Sequence, residues 1–98
     1  MGRSISESQP TEVGLRVRKL RELAAIDQLS LSIAAGYSKA VVWQLENGVI
    51  ANPSAELMLA IADALGTTVP YLCRGIGDAP APDKINGAFI LATERTGK

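Results

Sequence analysis

The stretch Ser38–Gly48, SKAVVWQLENG, holds a hydroxyl, an ammonium, an indole and two carboxamides among apolar residues at helical spacing. Such groups hydrogen-bond, stack and pack, but they do not by themselves make or break bonds. The rest of the chain adds no catalytic set. Histidine, the usual general base and commonest metal ligand, is absent. Cys73 is the single cysteine and, set in an apolar helical segment, reads as an inert thiol. Gly75–Gly77 follows a helical turn rather than a strand, so it is no dinucleotide loop. No cluster has metal-ligand spacing. The expectation is recognition without catalysis: not an enzyme, with no metal and no cofactor.

Helices must position these groups. Asp27 looks like the cap of a short helix from Gln28 to Ala35, with Leu31 and Ala34 facing inward and Gly36 placed to end it. Ser38 is expected to cap the next helix, and Asn47–Gly48 to stop it. Only Gly36 and Tyr37 separate the two, a tight helix–turn–helix spacing. Upstream, Thr11 can cap a first helix. Val13, Val17, Leu20 and Ala24 recur in it at helical spacing, with Leu23 beside them, while Arg16, Arg18, Lys19 and Arg21 fill the other positions, most of them expected on a solvated face. Downstream, Ser54 caps a helix with Leu57, Leu59, Ala60, Ile61, Ala64 and Leu65 as its apolar stripe. Val69–Gly75 gives a fifth short helical element with Pro70 near its first turn. Residues 83–96 fit a helix through Ile85, Ala88, Phe89 and Ala92. They also fit a turn at Asn86–Gly87 followed by a strand, with helix slightly preferred.

Length and composition agree. A chain of 98 residues with 4% aromatics must build one core from aliphatic side chains, which suits packed helices. Ten cations balance ten anions, so net charge announces neither nucleic acid nor membrane. No run approaches the ~20 apolar residues of a membrane span. A lone cysteine points to a reducing, cytoplasmic setting. Met1–Ser6 fits the loose myristoylation pattern, but the expectation is a flexible polar tail over residues 1–10.

From Gly14 to about Gly75 the sequence resembles the lambda-repressor/Cro-like (XRE-type) helix-turn-helix family. Val17–Arg21 (VRKLR) looks like the first-helix signature, and Ile26–Leu31 (IDQLSL) is similar to the opening of the second helix. Ala35–Ser38 (AGYS) fits the turn, and Val42 with Leu45–Gly48 (LENG) fits the third helix and its stop. Asn52–Ser54 (NPS) and Ile61–Gly66 (IADALG) fit the fourth helix. The resemblance implies an all-α, compact five-helix domain over residues 11–75. Residues 76–98 then form a linker and C-terminal extension, helix or strand, that can dimerise.

The resemblance also implies a function: sequence-specific binding of double-stranded DNA by a homodimeric transcriptional regulator, with helix 38–47 in the major groove. It matches Ser38, Lys39, Ala40 and Gln44 to base-reading positions, and Gln28 and Asn47 to phosphate-contacting ones. Arg21 and Glu46 match a structural salt bridge between the first and third helices. At about 100° per residue, Val42 and Leu45 share one face of the third helix, while Ala40, Gln44 and Asn47 fall opposite, with Trp43 at the edge. Gln44 can bond bidentately to adenine, Lys39 can reach guanine or a phosphate, and Ala40 can pack on a thymine methyl. Trp43 is expected to pack within the chain first, and to lie along the sugar–phosphate backbone second.

The reading surface departs from the family in charge. Between Thr11 and Gly48 there are five cations against four anions, and the loop Val49–Pro53 has no Lys or Arg. That implies weak non-specific binding with a shallow salt dependence. It also leaves an alternative: a protein–protein interaction module, such as an antitoxin or accessory subunit, that keeps the fold, binds a protein partner and has weak or no DNA binding.

Overall fold

The computed structural model of the protein describes residues 10–96. The tail expected over residues 1–10 therefore lies outside the described residues, except for Pro10. The described chain forms six α-helices: α1 (Glu12–Leu23), α2 (Gln28–Ala34), α3 (Val41–Glu46), α4 (Ala55–Leu65), α5 (Val69–Arg74) and α6 (Pro82–Thr96). No strand occurs among the described residues, so the fold is all-α as expected.

Local sequence explains where most helices begin. Thr11 Oγ1 accepts the Gly14 N–H at 3.0 Å, Asp27 the Ser30 N–H at 2.9 Å, and Ser54 the Leu57 N–H at 3.1 Å. Thr68 caps α5 in the same way, accepting the Tyr71 N–H at 3.2 Å. Each cap satisfies an otherwise orphaned donor and contributes about 1 kcal/mol. The turn after α2 closes with Gly36 at φ +83°, where Tyr37 N–H donates to the Ser32 carbonyl at 3.0 Å. A side chain with a Cβ rarely takes that conformation, so glycine ends the helix there.

The third helix differs from the expectation. It starts at Val41, and Ser38–Ala40 form a turn in which the Ser38 carbonyl accepts the Val41 N–H at 3.1 Å. The capping position belongs to Ala40, which makes no side-chain cap. Ser38 is therefore not the cap, and the reading segment is a turn followed by a short helix rather than one helix over 38–47.

Aliphatic packing holds the bundle. Val17 and Leu20 of α1, Leu31 of α2, Val42 and Leu45 of α3, Ile61 and Leu65 of α4, Leu72 of α5 and Ile85 of α6 are fully buried. Each such side chain contributes roughly 1.5–3 kcal/mol on leaving water. Leu23 and Leu59 depart from the expected stripes and are about half exposed, while Met58 takes an inner position instead. The α1–α3 contact is closer than usual. A Cβ on Gly14 would run into the Leu45 carbonyl, so only glycine permits the approach.

The C-terminal extension is a helix. Ile85 and Ala92 are buried, with Ala88 and Phe89 partly so, and α6 packs on α4 and α2. One helical face thus finds cover that a strand would have needed from elsewhere. Asn86, a turn residue in the strand alternative, instead donates its side-chain amide to the Pro82 carbonyl one turn back, at 3.1 Å. No helix of the described residues is long and apolar enough to cross a membrane.

Candidate nucleic-acid interface

The back of α3 is fixed by one buried carboxylate. Glu46 accepts three hydrogen bonds: from Arg21 Nε at 2.6 Å, from Arg21 Nη2 at 2.9 Å and from Gln28 Nε2 at 2.8 Å. Its side chain is 2% exposed and that of Arg21 12%. A bidentate Arg–carboxylate contact fixes orientation as well as distance. Arg21 Nη1 also donates to the Ile26 carbonyl at 2.9 Å, which ties the α1–α2 loop into the same node. The hydrogen bond with Glu46 raises the Arg21 pKa above its ordinary value against the opposing effect of burial, so the guanidinium stays charged. Three helices therefore meet at Arg21, Gln28 and Glu46, and Val42 and Leu45 close the contact with apolar surface.

A second fixation comes from a residue the sequence did not single out. Ser32 of α2 is fully buried. Its hydroxyl donates to the Gln28 carbonyl at 2.9 Å and accepts the Val42 N–H at 3.0 Å. It thus satisfies one of the orphaned donors at the start of α3, the helix without a local cap. The available signal was faint: a serine one turn after Gln28 on the inward side of α2, where a hydroxyl commonly bonds back to the preceding turn.

The front of α3 is different. Ser38, Lys39, Ala40 and Trp43 are exposed, Trp43 by half, and Gln44 is half-buried. Among the described residues, no side-chain hydrogen bond or ion pair engages Ser38, Lys39 or Gln44. The structure thus brings the four residues matched to base reading to one accessible end of the unit. Asn47 borders them, but its side-chain amide donates to the Trp43 carbonyl at 2.9 Å. Gln28 lies behind them, its amide engaged by Glu46. Of the residues assigned to phosphate contact, Gln28 and Asn47 therefore already have internal partners, and Trp43 presents an open indole.

The charges nearby are mostly paired. Arg16 donates to the Leu72 carbonyl at 3.1 Å and to Glu12 at 3.2 Å, and Arg18 donates to Glu22 at 3.1 Å. With Arg21 held by Glu46, Lys19 and Lys39 are the cations between Thr11 and Gly48 without an ion pair among the described residues. Arg16 was expected on a solvated face. It instead lies across the end of α5, against Gly75.

Two short helices joined by a six-residue connection, 35–40, rather than the expected two-residue turn, with the second braced from behind and open in front, make a helix-turn-helix unit. The comparisons agree. The family described as helix-turn-helix domain matches residues 12–72. The P22 c2 repressor, crystallised with synthetic operator 9T in the presence of Tl+, shares 31% identity and a TM-score of 0.61. The match covers 66% of this chain and 97% of that one. A search of curated proteins gives no match. The chain belongs to the XRE-type, lambda-repressor-like helix-turn-helix family.

Proposed function

We propose that the protein is a sequence-specific double-stranded DNA-binding transcriptional regulator that acts as a homodimer. The segment Ser38–Asn47 enters the major groove, with Ser38, Lys39, Ala40 and Gln44 against base edges. The observation that carries this proposal is the two-sidedness of α3: a back braced by Arg21, Gln28 and Ser32, and a front on which Ser38, Lys39 and Gln44 have no internal side-chain partner among the described residues. The similarity to a repressor crystallised with its operator supports it. A two-fold dimer would place half-sites roughly one helical turn apart. Trp43 lies at the edge of the reading face, where an indole can rest on the sugar–phosphate backbone. Gln28 opens α2, where the backbone amides of a helix N-terminus can face a phosphate, and Asn47 reaches one by releasing its side-chain amide from the Trp43 carbonyl.

The alternative, a module for a protein partner, is favoured by one feature: Trp43 and Val49 are each half exposed beside a front with few cations. A titration of labelled duplex with the full chain at ~50 mM salt separates the two, because non-specific affinity is strongest at low salt. Binding to duplex supports the DNA reading, and absence of binding to any duplex rejects it.

A further inference from the structure

We propose that Ser32 is the positioning residue of the reading segment: a cap supplied from α2 that sets the first turn of α3, and with it Lys39 and Ala40. The proposal rests on the DNA-reading function above and deepens it.

Three observations carry it. Ser32 is the one buried neutral polar side chain of the described residues, beside the buried Glu46. Its hydroxyl bonds in both directions, donating its proton to the Gln28 carbonyl and accepting the Val42 N–H. The start of α3 has no side-chain cap of its own. The turn bearing Lys39 and Ala40 is thus held by three bonds: Val41 N–H to the Ser38 carbonyl, Val42 N–H to Ser32, and Gln44 N–H to the Ala40 carbonyl within α3. The first is local and moves with the turn. The second ties the turn to α2, whose Gln28 is itself bonded to Glu46 at the far end of α3. Gln28 therefore reaches α3 twice, by its side chain to Glu46 and by its carbonyl through Ser32. Both ends of the short helix are referenced to one turn of α2.

Removing the Ser32 hydroxyl would leave the Val42 donor buried without a partner and free the turn to move relative to α2. Gln44 and Trp43, deeper in α3, stay held by Glu46. The loss should therefore fall on the base contacts of Lys39 and Ala40, and so on selectivity more than on general affinity for duplex.

The experiment uses the full chain, Ser32→Ala and Ser32→Cys. Cysteine keeps the site filled with a much weaker acceptor, and a fold check on both guards against a variant that does not fold. Amide hydrogen exchange by NMR is read at Val42 relative to Ile61 in the core. Affinity is read for a duplex selected from a random pool and for a random duplex of equal length. The expected result for Ser32→Ala is Val42 exchange faster by about tenfold relative to Ile61, and an affinity ratio of selected to random duplex reduced by about tenfold, with the random duplex little changed; this corresponds to one lost hydrogen bond. Ser32→Cys should fall between. Unchanged relative exchange at Val42, or equal loss on both duplexes, would overturn the proposal. If the unmodified chain binds no duplex, the DNA function fails, and the exchange at Val42 still decides whether Ser32 is the cap.

Discussion

The two sides of α3 follow opposite rules. Behind it, the key polar groups have partners: Glu46 has Arg21 and Gln28, the Val42 amide has Ser32, and Gly14 lets the α1 backbone press against Leu45. In front, Ser38, Lys39 and Gln44 make no side-chain bond among the described residues, and Trp43 is half open. Burial accounts for the first set. Folding does not account for the second, because polar side chains without internal partners contribute nothing specific to the core. The contrast is what points to an external partner that completes the front.

Several substitutions can break or sharpen this contrast. The largest effect is expected behind α3. Glu46→Ala strands a largely covered guanidinium and the Gln28 amide and should cost about 3 kcal/mol, read by urea or thermal unfolding. A loss under ~1 kcal/mol would mean that the node is solvated and that the two sides are less different than they look. Gly14→Ala comes next, because its methyl meets the Leu45 backbone and α1 and α3 must separate, at about 2 kcal/mol. In front, Gln44→Ala should leave the unfolding midpoint in place and cost ~1–2 kcal/mol of discrimination on a selected duplex. Equal weakening on selected and random duplex would contradict its place among the base-reading residues.

Smaller effects lie away from the contrast and serve as controls. Asp27 caps α2, and its carboxyl is held below the usual range by the Ser30 hydroxyl and then the Ser30 amide. Asp27→Ala should cost about 1 kcal/mol near neutral pH. Since the folded pKa is lowered, the stabilisation is full above the unfolded value of about 3.9 and is lost as the pH falls through the folded value. The difference between the two proteins in unfolding should therefore shrink below about pH 4. Ala25 sits at φ +57°, a left-handed conformation. Ala25→Gly should raise stability by up to about 1 kcal/mol, seen as a midpoint a few degrees higher.

Much of the framework was legible from sequence because its causes are local. Thr11, Asp27 and Ser54 stand where caps are needed, Gly36 sits where a left-handed residue ends α2, and the spacing of Val17, Leu20, Leu31, Val42 and Leu45 records burial. What was not legible depends on residues distant in the chain. Ser38 looked like the cap of α3, yet the hydroxyl that serves Val42 comes from Ser32, ten residues away. Arg16 looked solvated, yet it bonds to the Leu72 carbonyl across 56 residues. Residues 83–96 fitted two periodicities, and the packing of α6 on α4 and α2 selected helix. The front of α3 was legible in position through the family resemblance. Its partner's identity is written in no contact within the chain.

The most direct measurement is selection of bound sequences from a random duplex pool by the full chain at ~50 mM salt, a condition that favours even weak phosphate contacts. The account predicts enrichment of one sequence with two-fold symmetry, its half-sites roughly one helical turn apart, and loss of that enrichment with Gln44→Ala. Recovery of no duplex, or of a pool as random as the one supplied, would contradict it.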